Sequence, residues 1–151
     1  MLKYNLSQLD SISKKISSSL SETDCIFLYG ELGSGKTTFV RSLIHQLQKK
    51  NNIKKTEVVS PTFNILYEYE IKSLKIMHYD LYRLQKNKDL NKLGMFQAND
   101  TGIRIIEWPG IVTKTIENRL EITFYHQKEP ESRKLKIKGY GKWKKFKLNA
   151  I

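Results

Sequence analysis

The sequence predicts an α/β fold: a sandwich with a mixed, mainly parallel central sheet flanked by helices and completed by antiparallel late strands. The first observation is the order strand, loop, helix, since the apolar run Cys25–Tyr29 leads into a glycine-rich loop and then into an amphipathic stretch from Lys36 to about Lys50. Further apolar runs have the length of buried strands, and the last two have no helix between them, which favours antiparallel pairing. These runs cover residues 75–79, 103–106, 120–125 and 134–138.

The first predicted helix occupies the chain before residue 20. Its apolar residues recur at three- and four-residue steps, as they do along one face of a helix. Ser7 and Asp10 have the spacing of a capping box and predict where the helix starts.

The middle of the chain is predicted to contain strands and turns. A strand at 58–59 and another over 63–71 are expected to be joined by a turn at Pro61. A short helix over 89–96 is expected to end near Gly94.

Length and composition predict a single domain over residues 1–151. A chain of 151 residues, 39% of them hydrophobic, is long enough for one core and short for two. Cys25 is the only cysteine, which excludes an intrachain disulfide and agrees with a reducing compartment. No apolar run approaches the ~18 residues that span a bilayer, so we expect a cytoplasmic protein that does not bind a membrane.

The formal net charge of +12 is concentrated near the C-terminus. The segment 126–151 contains nine basic and two acidic residues, so it contributes +7 of the total. A basic patch of this kind favours phosphate-rich or acidic partners. Lysines alternate with apolar residues over 134–138, and Tyr140, Trp143 and Phe146 lie among further lysines. RNA contact and an edge strand protected by lysines are both open interpretations.

The glycine-rich loop carries the strongest functional signal. Residues 30–37, with the sequence GELGSGKT, match the Walker A pattern of two glycines five apart followed by Lys and Thr. Glycines let backbone N–H groups approach phosphates closely, and the helix that follows adds the attraction of its N-terminus. Lys36 is expected to reach the β- and γ-phosphates, and the Thr37 hydroxyl to hold Mg²⁺. The fold prediction therefore narrows to a P-loop NTPase-like sandwich, and the expected activity is Mg²⁺-dependent hydrolysis of ATP.

A P-loop enzyme also needs an acid opposite the loop, and two carboxylates follow predicted strands. They are Asp80 and Glu107, each at the end of an apolar run. The carboxyl ends of parallel strands face the ligand crevice, so either residue could position Mg²⁺. Thr62, in the turn after Pro61, is a candidate sensor of the γ-phosphate, although a turn that enters a strand explains it equally well.

Three other residues carry weaker signals. His78 is predicted to pack or to hydrogen-bond along a strand, and His45 to lie on a helix without a ligand partner. Trp108, beside Glu107, is expected either to lie over the nucleotide or, as is commoner for a tryptophan before a proline turn, to cover the core.

Four sequence blocks together resemble one known family. They are GELGSGKTTFVR at 30–41, SPTF at 60–63, HYDLYRL at 78–84 and EWP at 107–109. As a set, and in this order, they are similar to the bacterial tRNA threonylcarbamoyladenosine biosynthesis ATPases, the TsaE or YjeE family. The resemblance extends over nearly the whole chain, whereas a generic P-loop would explain only the first block.

The resemblance implies a P-loop ATPase that works with TsaB and TsaD, which transfer a threonylcarbamoyl group to an adenosine beside the tRNA anticodon. ATP hydrolysis would reset or activate that complex between turnovers, and tRNA would be met through the complex, with direct contact by the basic segment as an open alternative. It also implies the roles of single residues. The residues implied in nucleotide binding are Gly33, Ser34, Gly35, Lys36, Thr37, Thr38 and Arg133. Those implied in Mg²⁺ binding are Thr37 and Glu107, and those implied in catalysis are Lys36, Thr62, Asp80 and Glu107.

Departures from the family pattern and rival functions are also visible in the sequence. Leu9 stands where the family often has a threonine, which leaves the adenine contacts open, and Gln85, Lys86 and Lys88 stand where acidic residues are common. A small-molecule P-loop kinase is one rival, but the arginine-rich lid of such enzymes is missing from a chain with widely spaced arginines. A passive RNA-binding module is the other, and the presence of Lys36, Thr37 and the two site carboxylates argues against it.

Overall fold

The computed structural model describes residues 1–84, 88–97, 101–127, 129 and 132–148. The strands are β1 (Leu2–Asn5), β2 (Cys25–Tyr29), β3 (Leu66–Ile71), β4 (Leu74–Asp80), β5 (Ile103–Glu107), β6 (Arg119–Tyr125) and β7 (Ser132–Gly139). The helices are α1 (Leu9–Ser19), α2 (Lys36–Lys50) and α3 (Lys88–Lys92). All seven strands form one sheet in the order β1-β7-β6-β2-β5-β4-β3.

The four central strands, β6, β2, β5 and β4, are parallel. On one side β3 pairs antiparallel with β4, and on the other β7 pairs antiparallel with β6 and β1 with β7. The predicted mixed sheet, with a parallel centre and antiparallel late strands, is therefore confirmed. The parallel strands share their carboxyl ends, so Tyr29, Asp80 and Glu107 reach the same edge of the sheet.

Apolar clusters cover both faces of the sheet. The larger cluster packs α1 and α2 against alternate strand residues such as Ile26 and Leu28, while their neighbours Cys25 and Phe27 belong to the smaller cluster with Met95. Successive residues of a strand point to opposite faces, which explains why a strand buried on both faces is apolar throughout. The larger cluster thus holds α2 against the sheet directly after the loop that follows β2.

The N-terminal region differs from the prediction. A short strand, β1, precedes the first helix, and the capping box uses Asn5 and Gln8 instead of Ser7 and Asp10. Asn5 Oδ1 accepts a hydrogen bond from the Gln8 amide at 3.0 Å, and Gln8 Oε1 accepts one from the Asn5 amide at 3.0 Å. Asp10 instead accepts a hydrogen bond from Ser42 Oγ at 2.6 Å, which ties α1 to α2.

The predicted strand at 58–59 is wrong, and β3 begins later than the predicted residue 63. Side chains of α2 occupy the backbone acceptors of this segment. Arg41 Nε donates to Val58 O at 3.0 Å, and His45 Nε2 lies 2.9 Å from Thr56 O. Because these carbonyl groups are satisfied by the helix, the segment runs as an anchored loop without strand partners.

The remaining predicted strands agree with β4, β5, β6 and β7 within a few residues. The predicted helix at 89–96 is shorter than expected: α3 ends at Lys92 and is followed by turns through Gly94. Gln85, Lys86 and the side chain of Lys88 lie outside the described residues, so their effect on surface charge stays a prediction. Within the described ranges, no helix is both long enough and apolar enough to cross a membrane.

The basic C-terminal segment is partly built into the core. Because β7 lies between β6 and β1, it is not an edge strand, and the interpretation as a lysine-protected edge is wrong. Trp143 is 2% exposed, packs in the larger cluster and donates from Nε1 to Asp24 Oδ1 at 3.3 Å. Its ring is therefore not accessible for stacking on RNA. Contact of RNA with the exposed Lys136 and Lys138 stays a prediction.

Candidate functional site

The glycine-rich loop begins where β2 ends and leads directly into α2. Gly30, Gly33 and Gly35 have φ angles of 141°, 75° and 104°, in the region that favours glycine. Gly30 also leaves no room for a side chain, because a Cβ atom there would lie 2.6 Å from Ser34 Oγ and 2.7 Å from Phe124 O. The path of the loop therefore depends on its glycines.

The loop ends at the N-terminus of α2, a helix of 15 residues. The residue before the helix, Gly35, has no side chain with which to cap the amides of the first turn. Ser34 Oγ is buried and has no hydrogen-bond partner in the part of the chain that the structure describes. Uncapped amides, the positive end of the helix dipole and a buried hydroxyl together form a site suited to an anion.

Lys36 is held between the loop and the edge of the sheet. Its Nζ donates to Gly30 O at 2.8 Å and to Glu31 O at 2.9 Å, and it lies 4.1 Å from the centre of the Trp108 ring. Burial lowers the pKa of Lys36, while the two nearby site carboxylates act in the opposite direction. The ammonium group is thus desolvated and positioned beside the anion site.

Glu107 ends β5 and faces the first turn of α2. Thr37 Oγ1 lies 2.9 Å from Glu107 Oε1 and 3.1 Å from Oε2, and His78 Nε2 lies 2.8 Å from Oε1. Glu107 is 2% exposed and His78 is 0% exposed. A carboxylate in contact with a threonine hydroxyl, at the end of a loop suited to an anion, presents the oxygen ligands that Mg²⁺ prefers.

Asp80 ends β4 and is the register partner of Glu107 on β5. Its Oδ2 accepts hydrogen bonds from Thr62 Oγ1 at 2.7 Å and from Ser60 Oγ at 3.3 Å, and its Oδ1 accepts one from the Tyr82 amide at 3.0 Å. The hydroxyl groups of the turn at 60–62 are therefore tied to the carboxyl end of the sheet.

One cleft of about 160 Å³ joins these groups. It is lined by Leu32, Gly33, Gly35, Lys36, Thr37, Thr38, Ser60, Thr62, Asp80, Glu107 and Trp108. Most of the predicted site residues thus meet in one place, and Ser34 lies buried within the loop beside them. Their roles in binding and catalysis stay predictions.

Arg133 is a predicted site residue that does not line this cleft. It lies on β7 opposite Tyr4 of β1, where burial raises the pKa of Tyr4 to about 12 against the opposing influence of the Arg133 charge. A second cavity, of about 370 Å³, is lined by Lys3, His126, Gln127 and Glu129. His126 connects it to the loop, because His126 Nε2 lies 3.0 Å from Leu32 O. Contact of Arg133 with a nucleotide stays a prediction.

Two residues have closer contacts with the site than the sequence indicates. Trp108 lies under Lys36 and also 4.9 Å from the ring centre of Tyr82, so it borders the cleft. His78, predicted to have no ligand role, contacts Glu107 directly. The alternation of β4 is the signal that points to it, since residues two apart on a strand share a face and His78 precedes Asp80 by two.

Comparison with known proteins identifies the family to which the chain belongs. A family model described as "Threonylcarbamoyl adenosine biosynthesis protein TsaE" matches residues 4–135. Among curated relatives named "tRNA threonylcarbamoyladenosine biosynthesis protein TsaE", one from Rickettsia felis is 36% identical over 112 residues, which cover 74% of this chain and 63% of that protein. A second, from Rickettsia conorii, is 38% identical over 67% of this chain and 55% of that protein. The chain therefore spans less than two thirds of the length of these two relatives.

A relative of the same name from Bacillus subtilis is 31% identical over 121 residues, which cover 78% of this chain and 72% of that protein. The crystal structure of Bacillus subtilis YdiB has the same fold, with a TM-score of 0.68 and 24% identity over 93% of this chain and 86% of that chain. The family match includes the loop and both site carboxylates. The chain belongs to the TsaE family of threonylcarbamoyl adenosine biosynthesis proteins.

Proposed function

We propose that this chain binds ATP with Mg²⁺, hydrolyses the ATP, and thereby drives turnover of a TsaB–TsaD type complex that threonylcarbamoylates the adenosine beside the tRNA anticodon. The observation that carries the proposal is that Lys36, the Thr37–Glu107 pair and the Thr62–Asp80 pair converge on one cleft. Membership of the TsaE family supports the connection to tRNA modification.

The donors at the cleft suit the phosphates of ATP. The uncapped amides at the start of α2 and the unpartnered Ser34 hydroxyl can donate to phosphate oxygens. Lys36 Nζ donates to two carbonyl oxygens, and it can exchange them for charged phosphate oxygens, which are the stronger acceptors. This set of donors favours the β- and γ-phosphates as the ligand.

Thr37 and Glu107 suit Mg²⁺ as a cation shared with the phosphates. Mg²⁺ is usually held by one or two carboxylates together with phosphate oxygens and water, and when bound it neutralises charge on the β- and γ-phosphates. Among the described residues no group of three or more His, Cys, Asp or Glu side chains could hold a metal by itself. Glu107 contacts the helix that binds the phosphates, whereas both oxygens of Asp80 accept hydrogen bonds from the loops beside it, so we assign Glu107 as the nearer ligand.

Asp80 and Thr62 are proposed to orient the attacking water. Thr62 Oγ1 donates to Asp80 Oδ2. The remaining lone pairs of Thr62 Oγ1 and of Asp80 Oδ2 can therefore accept hydrogen bonds from a water molecule. Phosphoryl transfer depends mainly on positioning and on electrostatic stabilisation of the transferring group. Lys36 would supply the stabilising charge, and the Asp80–Thr62 pair the positioning.

The proposed partner is a protein complex, and this chain is proposed to contact tRNA through that complex. The lysines exposed on β7 offer a surface for additional direct contact with tRNA. A role in the modification of tRNA agrees with the expected cytoplasmic location.

Reconstituted tRNA modification tests the proposal. TsaB, TsaD, tRNA and an activated threonylcarbamoyl donor are combined with ATP and with wild-type chain, Lys36→Ala or Lys49→Ala, and modified adenosines are counted per partner complex. Lys49 is an exposed lysine at the other end of α2, so its substitution is the matched control. We expect multiple turnovers with the wild type and Lys49→Ala but not with Lys36→Ala. If the wild type hydrolysed ATP without any effect on modification, the partner assignment would fall and a kinase acceptor would be sought.

A further inference from the structure

His78 is a fully buried imidazole beside the two site carboxylates. It precedes Asp80 by two residues on β4, so both side chains lie on the sheet face that α2 covers. Its Nε2 lies 2.8 Å from Glu107 Oε1. This contact fits a hydrogen bond that Nε2 donates and the carboxylate oxygen accepts.

The contact with His78 positions the Glu107 carboxylate from the side of the sheet, whereas Thr37 contacts the same carboxylate from the side of α2. Thr37 Oγ1 lies within 3.1 Å of both Glu107 oxygens, whereas His78 contacts Oε1 alone. A hydroxyl binds a cation through its lone pairs, so Thr37 can bind the ion and still donate its O–H to the carboxylate. The hydrogen bond from His78 to Glu107 Oε1 can persist at the same time, which leaves Oε2, 3.1 Å from Thr37 Oγ1, available to the cation.

We infer that His78 is a positioning residue for the divalent cation: it holds the Glu107 carboxylate in the orientation in which it binds Mg²⁺ beside Thr37. The inference rests on the proposed function, because it takes Glu107 as a ligand of Mg²⁺. Partners that hydrogen-bond to metal ligands typically account for about 10- to 100-fold in metal affinity. A histidine that only stabilised the fold would leave the cation affinity of the folded protein unchanged.

Two substitutions of similar polarity separate these roles. In His78→Gln the amide nitrogen lies about as far from the backbone as Nε2 and can donate to Glu107, whereas in His78→Asn the shorter side chain reaches only the position of Nδ1. The measured quantity is the Mg²⁺ concentration needed for binding of a fluorescent, non-hydrolysable ATP analogue, with binding in EDTA as the metal-free reference. We expect His78→Asn to need about 10- to 100-fold more Mg²⁺ with unchanged binding in EDTA, and His78→Gln to restore the wild-type requirement.

Each other outcome overturns a defined part of the account. An unchanged Mg²⁺ requirement in His78→Asn, or the same increase in both variants, would overturn the role of His78 alone. A wild-type chain that binds no ATP analogue would overturn the proposed function, and the role of His78 with it.

A second measurement uses the wild type and so does not depend on the stability of a variant with an altered core. Nitrogen NMR of the histidine-labelled chain reports which ring nitrogen of His78 carries hydrogen. We expect hydrogen on Nε2 and a shift of this resonance when Mg²⁺ is added to the complex with the ATP analogue. Hydrogen on Nδ1 alone, or a resonance that Mg²⁺ does not move, would overturn the inference.

Discussion

Replacing Lys36 with methionine removes the charge of the lysine that is proposed to bind phosphate while keeping most of its buried volume. In the free protein the ammonium group donates two hydrogen bonds, at 2.8 and 2.9 Å, and in the proposed complex phosphate oxygens take their place. Hydrogen bonds to charged groups contribute about 1.5–3 kcal/mol each. Two of them amount to roughly 3–6 kcal/mol, so we expect ATP to bind about 10²- to 10⁴-fold more weakly to Lys36→Met.

The same substitution should change folding stability little. Burial lowers the pKa of Lys36, so the folded state disfavours the charged form relative to the unfolded chain. This unfavourable contribution is fully present below the folded-state pKa of Lys36 and disappears as the pH rises from the folded to the unfolded pKa. Removal of this unfavourable contribution offsets the loss of the hydrogen bonds to the carbonyl groups of Gly30 and Glu31. These two residues are not buried, so their carbonyl groups can bind water instead. We expect a change in the free energy of unfolding of no more than about 1 kcal/mol.

Calorimetric titration with ATP and Mg²⁺ measures the affinity, and urea unfolding measures the stability. Lys49→Met, at the exposed end of the same helix, is the control and should match the wild type in both. An ATP affinity of Lys36→Met equal to that of the wild type would refute the assignment of the loop. Loss of affinity together with several kcal/mol of stability would show that the lysine contributes to folding as well as to binding.

Three further substitutions test single contacts. Thr37→Val should raise the Mg²⁺ concentration required for ATP hydrolysis, whereas Thr37→Ser, which keeps the hydroxyl, should not. Equal Mg²⁺ requirements of the two variants in a Mg²⁺ titration would contradict the role of the hydroxyl. Asp80→Asn should lower kcat by about 10²- to 10³-fold while ATP affinity is retained, and a change confined to KM in steady-state kinetics would argue against water positioning. Trp143→Ala should lower the free energy of unfolding by about 3–5 kcal/mol because it empties a core position; an unchanged urea midpoint would mean that the ring is not part of the core.

The parts of the fold that depend on local patterns could be predicted from the sequence. The strand β2, its loop and α2 follow from one apolar run, a set of glycines and a helical period, all within one continuous segment. The strand β1 could not be predicted in this way, because it exists only through pairing with β7, far along the chain. The error at 58–59 has the same origin, since Arg41 and His45 on a distant helix satisfy the carbonyl groups of that segment.

The candidate site shows the same division. Lys36 and Thr37 follow from the loop motif, and Asp80 and Glu107 from their positions after predicted strands. The choice of the acid that contacts Thr37 depends on the register of β4 with β5, which is a tertiary property. The contact of His78 depends on the same register, since its ring reaches a carboxylate on the neighbouring strand.

Single-turnover hydrolysis of ATP by the purified chain, in excess over ATP, tests most directly whether this cleft holds ATP and Mg²⁺ for hydrolysis. Phosphate release is followed with and without Mg²⁺, for the wild type and for Glu107→Gln. We expect release that requires Mg²⁺ and that falls by about 10²-fold or more in Glu107→Gln. Release at an equal rate in the two chains, or without Mg²⁺, would contradict it.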